Sequence, residues 1–220
     1  MTEPASNRTK VRRGADRAVY EQDEVRRILD DGLIAHVGVQ TADGPLVLPM
    51  AYGRDDENLY LHGAAANHLL GTGEGQEICV TVTHVDGLVM ARTPFHNSMN
   101  YRSVVVRGRA EKIDDGAEKA RVLKIITDHI VPNWELTRPA SEIDIRKTIV
   151  LSLPLAEASA KVRAGDPIDE PDDVAGPWWA GVVPLSSRFE APYPSADLAS
   201  GADVPEAYAA LGGRATDDRP

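Results

Sequence analysis

The run of short alternating segments joined by tight turns between residues 33 and 113 constrains this chain more than any other feature. "LIAHVGVQ" and "PLVLPMAYG" both repeat with period two, and the "TADG" between them carries an Asp-Gly pair that favours a tight hairpin. "NLYLHG" follows the acidic turn "RDDEN", so successive antiparallel strands are the economical reading. "EICVTVTHV" and "LVMAR" are strand-like around another Asp-Gly. "YRSVVVRGRAEKI" is a long β-rich run in which Gly108 marks a bulge or a close approach.

Helices are few. From Glu21 to Asp31, Val25, Ile28 and Leu29 share one helical face, and Gly32 sits where a helix terminates. "GAEKARVLKIITDHIV" predicts a helix with Ala120, Leu123, Ile126 and Ile130 on its apolar stripe, ended by Pro132. "KTIVLSLPLAEASAKV" adds a last strand. Adjacent strands with a few short flanking helices predict a mainly β fold, a small antiparallel barrel and not a doubly wound α/β sheet. Residues 19–190 form the expected domain, between a polar, basic segment 1–18 and a Pro/Ala/Gly-rich tail 191–220, and both ends are set aside for chemistry.

Charge and motif content narrow the function. A net charge of −10 over 220 residues excludes a duplex nucleic-acid binder or an anionic-membrane binder, since both need a concentrated positive field. The single cysteine, Cys79, allows no intrachain disulfide. No apolar leader or membrane-length run is present, so a soluble, cytoplasmic protein is expected. The chain has no Walker loop, no G-x-G-x-x-G opening a helix, no H-E-x-x-H and no G-x-S-x-G. Among the six histidines only His62 and His68 lie close in sequence, with no carboxylate between them, so no metal site is expected. His36 and His84 read as satisfied mid-strand imidazoles, and His129 as a charge complement at a helix C-terminus.

Three stretches carry candidate chemistry. In "LYLHGAAANHLL" a strand ends at Gly63, three alanines follow, and a short helix begins near Asn67. Such a corner either packs tightly or presents free amides to a phosphate, with His68 as a further donor. In "NYRSVVVRG", alternation sets Arg102 among apolar neighbours, where its guanidinium needs a protein carboxylate or the edge of a planar ligand. In "PWWAGVVPL", Trp178 and Trp179 either plug a barrel end or wall an aromatic ligand.

The order of "VLPMAYG", "LYLHGAAANHLL", "NYRSVVVRGRAEKI" and the late "WWAGVVPL" resembles the FMN-binding split-barrel proteins related to pyridoxamine 5′-phosphate oxidase, over roughly residues 18 to 190. Within them it is most similar to the flavin-nucleotide-binding branch that includes the nitroimidazole-resistance reductases. The resemblance implies a homodimer of six-stranded antiparallel split barrels with FMN at the dimer interface. Pro49, Met50, Ala51 and Tyr52 would lie along the flavin ring, with His62, Gly63 and Ala64 beside the ribityl-phosphate and Asn67 and His68 at the phosphate. Tyr101, Arg102 and Ser103 would come near the ring, and Trp178 or Trp179 would close it.

Two departures bear on activity. True pyridoxamine phosphate oxidases carry Arg and Lys where this chain has Asn67 and His68, and a late Arg-x-His motif where it reads "LSSRFEAPYP". Oxidation of pyridoxamine phosphate is therefore not expected, and phosphate affinity would rest on amides and on protonated His68. The resemblance implies an FMN-dependent oxidoreductase passing electrons from a reduced donor such as NAD(P)H to a small organic acceptor. No catalytic residue is assigned; His62 either donates a proton or hydrogen-bonds the cofactor. Two alternatives stay open: a haem-binding or haem-degrading protein with His68 or His96 as axial ligand, and a non-catalytic flavin carrier.

Overall fold

The structure, a computed structural model, describes residues 3–64, 71, 75–199 and 201–217. A short strand β1 (Ala18–Val19) precedes helix α1 (Gln22–Asp31). Then come β2 (Ala35–Thr41), β3 (Gly44–Met50), β4 (Tyr52–Arg54) and β5 (Asn58–Ala64). Two long strands follow, β6 (Glu77–Met90) and β7 (Ser98–Arg109), and a short β8 (Glu111–Lys112). Helices α2 (Gly116–Ile130) and α3 (Glu142–Arg146) lead to β9 (Thr148–Pro154) and β10 (Ala158–Arg163). A short helix α4 (Pro171–Val174), a strand β11 (Gly181–Pro184) and a last helix α5 (Glu206–Ala209) complete the chain.

Among the described residues all strand pairing is antiparallel, in two sheets. The larger runs β1-β10-β7-β6-β2-β3 with β11 also on β6, and the smaller runs β4-β5-β9-β8. The chain steps from one sheet to the other at Ala51, at Ala110 and through the turn Leu155–Glu157. Those crossings wrap the sheets around one core, to which Val37, Val80, Val82, Val104 and Val106 contribute from one side and Tyr52, Leu59, Leu61, Leu151 and Leu153 from the other. Val25, Ile28 and Leu29 of α1, all fully buried, join it at about 1.5–3 kcal/mol each. The mainly β, antiparallel split-barrel expectation therefore holds. The described strands number eleven and not six, because the sheet crossings cut continuous β runs and short strands add to the edges.

The hairpin read from "TADG" is present: Thr41 pairs with Gly44, leaving Ala42 and Asp43 as the loop. The second Asp-Gly behaves differently. β6 continues through it as one strand, and the register against β7 jumps from Val85↔Tyr101 to Gly87↔Asn100, so Asp86 is the extra residue of a bulge. A turn there would separate two strands that both have the same long partner, β7; a bulge keeps the ladder and only re-aims one side chain. Gly108 is a close approach and not a bulge, since an added Cβ would lie 3.0 Å from Leu153 Cδ1.

Helix α2 keeps its period but not its phase. Lys119, Val122 and Ile126 are buried, Leu123 packs at the margin, and Ile130 is exposed. Ile126, on the expected stripe and buried, packs onto β4, where a Cβ on Gly53 would sit 2.7 Å from the Ile126 Cα, so only glycine permits this contact. The change of phase turns Lys119 inward. His129, in the last helical turn, hydrogen-bonds the Gly32 carbonyl through Nε2 at 2.8 Å and packs on Tyr52 with ring centroids 4.6 Å apart. It ties α2 to the loop after α1.

The C-terminal segment returns to the barrel. Ser187 and Phe189 exchange backbone hydrogen bonds with residues 213–216, and this brings Thr216 and Asp217 beside β6. These two residues belong to the tail that the sequence sets aside for chemistry. No helix among the described residues is long and apolar enough to cross a membrane.

Candidate functional site

Two adjoining cavities open where α1 ends and β6 bulges. One, of about 340 Å³, is lined by Thr83, His84, Val85, Asp86, Arg102, Leu185–Ser187, Thr216 and Asp217. The other, of about 330 Å³, is lined by Asp31–Ile34, His36, Pro49 and Val82, and shares Thr83, His84, Ser187 and Thr216 with the first. Residues far apart in sequence meet here because β2, β6 and β7 are neighbours in the larger sheet and α1 packs across its end.

The bulge sets the electrostatics of the first cavity. Arg102 donates to Asp86 through Nη2 at 2.9 Å and Nε at 3.1 Å, to Asp31 through Nη1, and to Asp217 through Nη2 at 3.2 Å. Hydrogen bonds from the guanidinium to Asp86 lead the causes that hold the Arg102 pKa above its ordinary range; burial opposes them. Three carboxylates surround one guanidinium. Arg102 therefore has protein partners, and the carboxylate excess makes this wall unsuited to a phosphate. His84 Nε2 lies 3.0 Å from the Ile28 carbonyl, so that nitrogen carries the proton. The exposed imidazole of His36 makes no hydrogen bond or ion pair among the described residues.

The other candidate residues fall into separate places. Pro49 is exposed on the second cavity, whereas Met50 packs against the core. Tyr52 is wholly buried and its hydroxyl donates to the Leu29 carbonyl at 2.5 Å, which leaves only its main chain to meet a ligand. Tyr101 is half-buried, and Ser103 Oγ donates to the Lys161 carbonyl at 3.3 Å. Trp178 and Trp179 are 59% and 67% exposed, so they plug nothing in the single chain. Asn67 and His68 lie outside the described residues.

His62, Gly63 and Ala64 form the end of β5, paired with Val150, Ile149 and Thr148. His62 Nδ1 is buried and has no hydrogen-bond partner among the described residues, and burial lowers the pKa of the ring. A buried polar atom without a partner at this strand end suits a ligand group that completes it. Sequence reasoning missed Lys119. Its side chain, 8% exposed as a residue, donates at 3.1 Å to the carbonyl of Thr148, the cross-strand partner of Ala64. With Arg146 it lines a cavity of about 470 Å³ that also includes Asp114, Gly116, Glu142 and Ile145. The expected stripe of Ala120, Leu123, Ile126 and Ile130 left Lys119 on the polar side, so no local signal marked its burial, and its neighbour Thr148 depends on the fold.

Two antiparallel sheets wrapped around one filled apolar core define a split barrel. The family model described as pyridoxamine 5′-phosphate oxidase matches residues 21–162, and the chain belongs to this family. The flavocytochrome Anf3 from Azotobacter vinelandii shares its fold at a TM-score of 0.92 with 40% identity, covering 96% of this chain and 99% of that one. An FAD and haem binding protein from Mycobacterium smegmatis follows at a TM-score of 0.85 and 29% identity, covering 91% and 98%. A candidate 5-nitroimidazole antibiotic resistance protein from Bacteroides thetaiotaomicron has a TM-score of 0.56 and 25% identity, covering 66% and 86%. No curated protein sequence matches the chain significantly.

Proposed function

We propose that this chain is a flavin-binding redox protein with haem as a second redox group, passing electrons from a reduced donor of the NAD(P)H type to a small organic acceptor. The observation that carries the reading is coverage. The nitroimidazole-related structure covers 66% of this chain, whereas the two proteins whose names include a cytochrome or haem cover 96% and 91%. The segments outside the matched residues 21–162 supply Leu185–Ser187, Thr216 and Asp217 to the cavity beside His84.

The flavin we favour is FAD, as in the mycobacterial relative, with FMN the alternative. Bound flavin would supply hydride and single-electron chemistry. His62 Nδ1 and the Gly63–Ala64 strand end offer it polar contacts, and Lys119 supplies near this end the permanent cation that Asn67 and His68 lack. For haem, His36 beside Leu33, Ile34, Pro49 and Val82 combines an uncommitted imidazole with apolar neighbours. His84 and His129 each commit Nε2 to a backbone carbonyl, and His96 turns Nδ1 toward Asp169.

A homodimer is the proposed assembly. β3 is an edge strand that exposes Leu46, Val47 and Leu48, an apolar surface that a second copy would cover. The deciding experiment is spectroscopic. Purified or reconstituted protein should show two flavin bands and a Soret band, with the flavin identified after acid release, and NADH or NADPH should bleach the flavin bands. Failure to bind either group at micromolar concentration overturns the reading; binding without reduction reduces it to a carrier.

A further inference from the structure

Away from these cavities, three ligand-capable side chains converge between the turn after β6 and the segment leading into α4. His96, Asp169 and Asp173 each bring a metal-ligating atom to within 4.8 Å of the others. The Asp169 side chain is fully buried, and His96 Nδ1 lies 3.7 Å from its Oδ1. That separation is too long for a hydrogen bond. His96 Nδ1 is itself buried and has no hydrogen-bond partner among the described residues.

We propose that His96, Asp169 and Asp173 bind a first-row divalent cation of the zinc type. An imidazole nitrogen and a carboxylate oxygen that face each other across a gap of this size suit a shared cation. Tetrahedral zinc with ligand distances near 2.0–2.2 Å sets neighbouring ligand atoms about 3.4 Å apart. The His96–Asp169 pair, at 3.7 Å, is already close to that spacing, and an Asp173 carboxylate oxygen on the short α4 lies within 4.8 Å of both. One nitrogen and two oxygens make a donor set of intermediate hardness, which favours zinc over calcium or magnesium.

The surroundings support the carboxylates. Asp169 accepts the Arg92 backbone N–H at 3.0 Å and Arg92 Nη1 at 2.9 Å, contacts that orient it as hydrogen bonds orient metal-ligating carboxylates. Arg92 offsets one of the two negative charges. Exposed Asp166, Glu170 and Asp172 add negative potential around the site. A bound ion would staple the Pro94–His96 turn to the segment that carries Trp178 and Trp179, holding those exposed rings in place.

The test uses the full chain with whatever flavin or haem it carries, stripped of metal by a chelator and then dialysed against zinc. One zinc per chain should bind at micromolar concentration or below, with tryptophan emission and protease resistance of the 164–180 segment changing on binding. His96→Ala and Asp173→Asn should each weaken binding more than about tenfold while leaving the circular dichroism unchanged. Asp172→Asn, which alters the same acidic segment outside the trio, should leave affinity within about twofold. No stoichiometric zinc, or equal losses for Asp172→Asn and Asp173→Asn, would overturn the site. Should His96→Ala misfold, the comparison of the two Asn variants still decides.

Discussion

Arg102 Nη2 lies 2.9 Å from Oδ1 of Asp86, the residue that the bulge adds to β6. Arg102 is the cross-strand partner of His84, and Asp86 follows His84 by two residues, so the bulge turns a diagonal neighbour on the same face toward the guanidinium. Arg102→Met should cost about 1–3 kcal/mol in urea unfolding, because it leaves three carboxylates facing one another; Asp86 and Asp217 are 36% and 45% exposed, which keeps the cost below that of a fully buried pair. Asp86→Asn should cost more than Asp217→Asn. Equal effects would mean that the bulge is not what holds Arg102.

The His62 ring makes stability depend on pH. Burial disfavours its charged form, so the folded pKa lies below the ordinary 6.5 and the unfolded chain takes up the proton first. This contribution is absent above about pH 6.5 and becomes destabilising as pH falls through that value toward the folded pKa. His62→Gln should flatten that part of the profile when urea midpoints are compared at about pH 8 and pH 5.5. Identical profiles for variant and parent would remove His62 from the account.

Lys119 offers a direct check on where the anion is held. Lys119→Met loses one hydrogen bond to the Thr148 carbonyl, so stability should change by about 1 kcal/mol. Flavin affinity, measured by fluorescence titration, should fall more than about tenfold, since a charge-assisted contact to phosphate is among the stronger ones. Lys119→Arg should recover part of it. An unchanged affinity for Lys119→Met would place the phosphate elsewhere.

Tyr52 separates core from site. Tyr52→Phe removes only the hydroxyl that donates to the Leu29 carbonyl, which also accepts from the Gly32 N–H at 3.2 Å. The expected cost is about 0.5–1.5 kcal/mol in thermal or urea unfolding, with flavin affinity unaltered. A large loss of flavin with little loss of stability would show that the ring reaches the ligand after all.

Much of the barrel was legible because its signals are local. Period-two alternation, the "TADG" hairpin and the Val25–Ile28–Leu29 face each depend on a few neighbouring residues, and each appears where the sequence puts it. Asp86-Gly87 shows the limit of that reading. Asp-Gly suits a hairpin and a bulge alike, and only the continuous partner strand β7 selected the bulge. The phase of α2 shows the same limit: the apolar residues put Ala120, Leu123, Ile126 and Ile130 on one stripe, but the fold buries Lys119 and Val122 beside Ile126, because the Thr148 carbonyl receives Lys119.

The sequence by itself determined most of the strands, the helices α1 and α2 and the family resemblance, because alternation and turn chemistry are set within a few residues. Tertiary structure decided which side chains meet. Arg102 with Asp86 and Asp217, Lys119 beneath the end of β5, and His96 with Asp169 and Asp173 all join residues from distant segments. Their convergence follows from ladder register, sheet crossing and helix phase. Those are settled by burial of the whole core, to which no single stretch of sequence holds the key.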